Sequence, residues 1–385
     1  MRLSTVLPML RTYAILALLH GYIAWRLLPD LPYPWVALAL ATWLVLSLLL
    51  MPLGFAARRF RDPDAGDRAT WAGMLAAGAF SSLLLLTLLR DIVLTAAHLA
   101  PASWLDPALM LRSHATTALG VPLLAALATM AGLVNARLRA AIRRVDVPIT
   151  NLPASLHGFT IAQISDVHVG PTIKRRYLDA IVDAVNALNA DLIAVTGDLV
   201  DGSVERLSHH TQPLSRLVAR HGAYFVTGNH EYYSGARAWI TELRRLGLRV
   251  LQNEHVVLEH DGETLVVGGV TDYGAHHFDP AQRSDPKAAI AGAPHHAAFR
   301  LLLAHQPRSA FAAMPAGFDL QLSGHTHGGQ FVPWNFLVRL QQPFTAGLHR
   351  LGSLWVYISR GTGYWGPPIR LGAPSEITAV RLVAA

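Results

Sequence analysis

Two regimes of hydrophobic patterning divide the chain. In the first, apolar residues run on almost without interruption, in segments near Leu10–Leu28, Trp35–Phe55, Trp71–Leu89 (with an extension to His98) and Ala115–Asn135. Each segment is long enough to cross a bilayer, which takes about 20 residues of helix. The connectors PDLPYP, RRFRDPDAGDR and APASWLDPALMLRSH are Pro-rich or charged. Trp35, Trp71 and Trp104 stand near predicted segment ends, where indole rings favour the headgroup layer.

From Gly158 the apolar residues come in short bursts. FTIAQIS, DLIAVT, AYFVT and LRVL read as buried strands. Between them KRRYLDAIVDAVNALN has Leu178, Ile181, Val182, Val185 and Leu188 at helical spacing. Further helices are predicted over Val204–Arg220 and ARAWITELRRLG. After Val250 shorter β runs take over: VVLEH, ETLVVGGV, FRLLLAH, FDLQLSG and LWVYISRG, with a hairpin signal at Asp261-Gly262. Alternating strands and helices predict an α/β fold with a partly parallel sheet covered by helices.

Charge sharpens this division. The net +7 comes from the front of the chain: residues 1–145 hold 13 Lys+Arg against 6 Asp+Glu, and residues 146–385 hold 19 against 19. A polynucleotide groove would need the second part to be positive, so no nucleic-acid partner is expected. The arginines of the first part also orient it. Arg2 and Arg11 open the first segment; Arg58, Arg59, Arg61 and Arg68 separate the second and third; Arg137, Arg139, Arg143 and Arg144 follow the fourth. The opposite loops hold only Arg112, plus Arg26 at a helix end. Four crossings therefore place both ends on the basic, cytoplasmic side. If the first segment, interrupted by His20 and Gly21, lay in the interface instead, the domain after it would face outward. A cleaved signal peptide is disfavoured, because the segment lacks a small-x-small site and more spans follow. Arg90 and Asp91 are a functional candidate because intramembrane charge is costly; the plainer reading pairs them with each other or with the interface.

With no cysteine there is neither a disulfide nor a thiolate metal site. The chemistry lies instead at strand ends. IAQIS runs into Asp166-Val-His168, LIAVT into Gly197-Asp198 with Asp201 beyond, YFVT into Gly228-Asn229-His230-Glu231, LLLAH into His305, and LQLS into Gly324-His325-Thr-His327. Each motif alone is ordinary: a D-x-H is usually a surface turn, and N-H-E can simply cap a helix. Five together, each after an apolar strand, point to a ligand site at the carboxyl ends of a sheet. Imidazole and carboxylate without sulfur suit zinc, manganese or iron. Residues two apart in an extended segment project to one side, which would explain both D-x-H and H-x-H. Glycines 197, 228 and 324 would let backbone pass close to the ions.

The series D-x-H, G-D-x-x-D, G-N-H-E, H and G-H-T-H resembles the calcineurin-like metallophosphoesterase superfamily, from about Gly158 onward. The longer stretches GNHEYYSG, LSGHTHGGQF and SRGTGYWGPPIRLGAPSEIT are similar to its membrane-associated bacterial YaeI/YkuE-like phosphodiesterase branch. The resemblance implies a four-layer αββα sandwich, two mixed β-sheets flanked by helices. The apolar segments make residues 1–145 a membrane domain with about four transmembrane helices, and the resemblance makes 146–385 the catalytic domain. It implies two divalent ions (Mn, Zn or Fe): Asp166, His168 and His327 on the first, Asn229, His305 and His325 on the second, and Asp198 bridging. His230 would act as general acid while a bridging hydroxide attacks phosphorus.

The expected protein is thus a metal-dependent phosphodiesterase of a bacterial inner membrane, its catalytic domain cytoplasmic. Its substrate is a phosphoester, with a lipid-linked ester as the narrower case. Trp334, Phe336, Tyr364 and Trp365 would flank a membrane-facing mouth, unless they are core. A cyclic-nucleotide phosphodiesterase or nuclease is one alternative. A non-enzymatic membrane sensor or scaffold is another, against which the full ligand set and intact general acid argue.

Overall fold

A computed structural model describes residues 3–99 and 107–385. Arg2 and Trp104 lie outside them. The chain divides into two compact units, residues 1–134 with 366–369, and residues 135–365 with 370–385.

Four long helices begin the chain: α1 (Leu3–Leu27), α2 (Pro34–Ala56), α3 (Pro63–Leu99) and α4 (Pro107–Arg137). The last three open on proline, whose fixed φ and missing N–H suit a first helical position. Among the described residues, three stretches are long and apolar enough to cross a membrane: Pro34–Ala56, Pro63–Leu99 and Arg112–Arg137. α1 has the length, but Arg11, His20 and Arg26 dilute its apolar run. Arg90 is buried and does more than pair with its neighbour. It donates to the Asp30 carboxylate, to Thr117 Oγ1 at 2.9 Å and to the Arg26 carbonyl at 2.9 Å. Asp91 accepts from Arg26 at 2.8 Å and from Tyr22 at 2.5 Å, while its own contact with Arg90 is 3.9 Å. The pair thus belongs to a wider charged network joining three helices, which engages Asp91 through Oδ2 and leaves its buried Oδ1 without a hydrogen-bond partner.

The second unit holds two six-stranded sheets. One runs β1 (Ala141–Ile149), β12 (Glu376–Ala384), β2 (Thr160–Ile164), β3 (Leu192–Val195), β4 (Ala223–Phe225), β5 (Arg249–Val250). The other runs β10 (Gly347–Leu351), β11 (Leu354–Ile358), β9 (Leu320–Ser323), β8 (Phe299–Leu303), β7 (Glu263–Gly269), β6 (Glu254–His260). Both are mixed: β12 runs antiparallel to β2, β6 to β7, and β10 to β11, and the other pairs are parallel.

Strand alternation builds three cores. Ile161, Leu192 and Ala194 point between the sheets, against Leu301, Leu303, Leu320 and Leu322. Their neighbours Ala162, Ile164, Ile193 and Val195 point outward, against Leu178, Ile181, Val182 and Val185 of α5 (Arg175–Asn186) and Trp239 and Leu243 further along. On the far side Leu302, Ala304, Val356 and Ile358 meet Ala310 and Ala313. Each fully buried Leu or Ile stabilises by about 1.5–3 kcal/mol. Strands greasy on both faces therefore end up with helices outside both sheets, the four-layer αββα arrangement.

The helix expected over Val204–Arg220 is shorter. α6 spans Val204–Thr211 and tightens to a 3₁₀ turn over Gln212–Arg216, where Pro213 enters the backbone. β1, β10 and β12 add strands that the apolar pattern does not announce, and the expected division at residue 145 falls inside β1.

Candidate metal centre

β2, β3 and β4 are mutually parallel, as are β8 and β9, so the loops leaving them emerge at common ends of the two sheets. The first two loops extend the ladder of their strands. Asp166 N donates to Gly197 O at 3.0 Å, His168 N to Asp198 O at 3.2 Å, and Val169 N to Leu199 O at 2.8 Å. Backbone register thus sets Asp166 and His168 beside Asp198.

Two clusters form there. Asp166, His168 and His327 each offer a ligand atom within 4.8 Å of the others, and so do Asp198, His305 and His325. In the first, His168 Nε2 faces His327 Nε2 at 3.0 Å, and His327 Nε2 lies 3.4 Å from Asp166 Oδ1. In the second, His305 Nε2 is 3.1 Å from Asp198 Oδ2 and 3.2 Å from His325 Nδ1. A third group joins His168, Asp201 and His230.

The residues fit divalent cations. Ring nitrogens facing one another satisfy at most one partner with a proton, whereas a cation satisfies both. Asn229 opens α7 (Asn229–Ser234), and its Oδ1 is buried with no hydrogen-bond partner, an acceptor held ready at a cost. The tautomer of His305 suits the same role: its Nδ1 lies 2.8 Å from the Thr196 carbonyl, so that nitrogen carries the proton and Nε2 turns its lone pair inward. All the candidate ligand atoms are oxygen or nitrogen, which leaves the metal's identity open.

The local backbone differs from the extended segments expected for D-x-H and H-x-H. Asp166, His168, Asp198, His325 and His327 all have positive φ, between 50° and 70°. Their side chains converge because the chain coils left-handedly at each, a conformation costing on the order of 1–3 kcal/mol per residue away from glycine. Glycine is required next to them by close approach. A Cβ on Gly324 would stand 2.1 Å from Asp166 Oδ2, and one on Gly228 2.2 Å from Asp198 Oδ1.

Electrostatics tie the groups together. Burial pushes the Asp198 carboxyl up, but His305 and His230 outweigh it and hold it well below the usual range. Burial opposes protonation of His230, yet the Asp198 charge and the hydrogen bond that His230 donates to Asp201 push it up to about 9. His325 goes the other way, down to about 3, through burial and then the neighbouring His305.

Three further residues within the motifs hold the centre in position. Asp201 Oδ1 lies 2.5 Å from His230 Nδ1 and so leaves Nε2 of that ring for other work. Glu231 accepts from the backbone N–H of Asp198 at 3.0 Å, Leu199 at 2.7 Å and Gly228 at 2.7 Å, stitching two ligand loops together. Burial, then Asp198, raise its carboxyl to about 8. Arg370 is fully buried and donates to the carbonyls of His327 at 2.9 Å and Arg360 at 2.7 Å. Its Nη2 stands 3.0 Å from His327 Nδ1. Spacing signalled Asp201 and Glu231; Arg370 had no signal beyond its conspicuous glycine- and proline-rich setting.

Of the four aromatics, Trp334, Phe336 and Trp365 are exposed, and Tyr364 is buried in the core beneath α5. Tyr364 therefore cannot flank a mouth. Trp365 and Tyr233 pack edge-on to His230, at 5.8 and 5.3 Å between ring centroids.

Residues 159–329 match the calcineurin-like phosphoesterase model. An uncharacterized metallophosphoesterase of Aquifex aeolicus is 32% identical over 225 residues, 58% of this chain and 84% of that protein. The uncharacterized metallophosphoesterase YkuE of Bacillus subtilis is 30% identical over 60% of this chain and 81% of its own length. The chain belongs to the calcineurin-like metallophosphoesterase family. A transmembrane protein with metallophosphoesterase domain from Danio rerio is 38% identical over 259 residues, 65% of this chain. The chain spans only 59% of that relative's length. Membership of this metallophosphoesterase family implies a metal-dependent phosphoester hydrolase, and the two clusters are where its metals would bind.

Proposed function

We propose that the protein is a membrane-anchored phosphodiesterase, with residues 1–145 as its membrane domain and 146–385 as its catalytic domain. Asp166, His168 and His327 would hold one divalent ion, Asn229, His305 and His325 a second, with Asp198 between them. When bound, such a pair supplies Lewis-acid charge that activates water and stabilises attacking and leaving oxygens. The observation that carries the reading is the convergence of six ligand atoms from four loops into two groups, each within 4.8 Å.

His230 is the general acid in this reading. Asp201 holds its Nδ1, so Nε2 can hand a proton to the departing alkoxide. The aromatic rings of Tyr233 and Trp365 beside His230 suit the organic groups of a phosphoester, of which a diester carries two. With α1 crossing as well as the three more apolar helices, the arginine asymmetry would put the catalytic domain on the cytoplasmic side of a bacterial inner membrane.

The test is His230→Ala in detergent-solubilised protein loaded with manganese or zinc. Metal content should be unchanged, and turnover of bis-p-nitrophenyl phosphate should fall by about 10²–10⁴-fold. Unchanged turnover removes His230 from the mechanism; absence of bound metal under any loading condition removes the mechanism itself.

A further inference from the structure

The segment FVPWNFLVRL, residues 331–340, is apolar by composition yet buries only Phe331 among its side chains. Val332, Trp334, Phe336, Leu337 and Leu340 are all exposed, Phe336 by 65% and Leu340 by 85%. Leaving a Phe or Leu in water forgoes about 1.5–3 kcal/mol of burial each, so a cluster of five is an unfilled contact.

The cluster is built onto the metal centre. A Cβ on Gly329 would stand 2.1 Å from Asn335 Cα, so the segment folds straight back on the loop that carries His325 and His327. Its return is pinned where Thr326 Oγ1 donates to Thr345 O at 2.6 Å. Gln330 then ties the loop to Trp365, donating to its carbonyl and accepting from its N–H, both at 2.9 Å. Trp365, itself exposed and edge-on to His230, is thus tied to the loop from which the exposed segment continues.

Charge selects the occupant. No Asp or Glu stands between Asp319 and Glu376, while Arg339 and Arg350 are exposed there. A cavity of about 330 Å³ beside the segment is lined by Arg339, Phe344 and His349, a pocket for an anionic headgroup. Aromatic and aliphatic side chains with arginine and without acid are the composition of a bilayer interface. A second copy is the poorer fit, because a two-fold contact would set this basic, acid-free face against itself. Among the described residues of the same chain, three helices have membrane-spanning length and apolarity.

We infer that residues 331–340 dock on an anionic bilayer surface, beside the mouth of the metal site. Building on the phosphodiesterase reading, the substrate is then a phosphodiester whose apolar part stays in the membrane while its headgroup reaches the metals.

The chain has no cysteine, so single-cysteine labelling is clean. Full-length F336C and L340C, each carrying a small environment-sensitive fluorophore, are placed in nanodiscs of phosphatidylcholine with or without phosphatidylglycerol. V218C, at another exposed apolar position, is the control. Doxyl-lipid should quench the labels at 336 and 340 several-fold more than the control, and more strongly with phosphatidylglycerol. Quenching equal to the control overturns the docking. So does a label shielded from water but untouched by doxyl-lipid, which would report a protein contact. In a second arm, the F336D/L340D variant should lose about tenfold in turnover of a vesicle-borne phosphatidyl diester and keep its rate on bis-p-nitrophenyl phosphate. Parallel loss on both esters, or loss on neither, overturns presentation from the membrane. Strong quenching in a protein that cleaves no ester supports docking and strikes the phosphodiesterase reading alone.

Discussion

Along β3, Leu192 and Ala194 face one core while Ile193 and Val195 face the other, and nothing polar interrupts them. Three residues beyond Val195, Asp198 is buried at φ 50°, hard against His305. The strand is stabilised where it stands; the loop is held where it would not stand by choice. Five ligand residues share that left-handed backbone, each at a cost on the order of 1–3 kcal/mol. The comparison teaches a division of labour. Apolar strands supply the free energy, and the loops spend part of it on geometry that serves cations.

This division can be broken most severely at a loop glycine. Gly324→Ala puts a methyl group 2.1 Å from Asp166 Oδ2 and 2.0 Å from Ser165 Oγ. Metal content should collapse and turnover should fall by at least about 10²-fold, the scale for misplacement by roughly 1 Å. Elemental analysis beside a thermal melt checks it; normal metal content would show that the loop adapts and that the strain is not functional.

A smaller effect is expected at Asp201, which orients without binding the first cluster. Asp201→Asn should lower turnover by roughly 10–100-fold, as outer-shell partners do. The pH profile gives the sharper readout. A general acid works only while protonated, so activity is lost as pH rises through the His230 pKa. Asp198 and Asp201 raise that pKa, so removing the Asp201 charge should move the basic limb of kcat/KM to lower pH. A limb that stays in place would mean that Asp201 does not tune His230.

Least effect on chemistry is expected in the strand itself. Ile193→Ala should cost about 2–5 kcal/mol in stability and lower Tm, yet leave metal per folded molecule and turnover unchanged. Lost metal with an unchanged Tm would erase the distinction between the regions.

The same distinction explains what was legible beforehand. Strands buried on both faces announced themselves as apolar runs, and the residue types after them announced metal. The way those residues converge did not, because alternation in an extended chain and left-handed coiling can both bring i and i+2 together. β1 was hidden by its exposed face: AIRRVDVPI lies at a sheet edge, and its arginines read as a basic flank of the preceding helix. β12 was hidden for the opposite reason. Two of its polar residues are inside, Glu376 accepting from Tyr357 at 2.6 Å and Thr378 fully buried, so a central strand lacks a greasy pattern. Tyr364 looked like a neighbour of Trp365 at a rim, but two consecutive residues of a loop can point to core and to solvent.

β12 also lies between β1 and β2, strands that are close in sequence yet not adjacent in the sheet. During synthesis the slot between them must wait until Glu376–Ala384 have left the ribosome. Arg370, which steadies His327, emerges only shortly before. Nascent chains should therefore hold most of the α/β sandwich, and the long helices, well before the centre can retain an ion. Ion retention is thereby coupled to the insertion of β12 between its two neighbours.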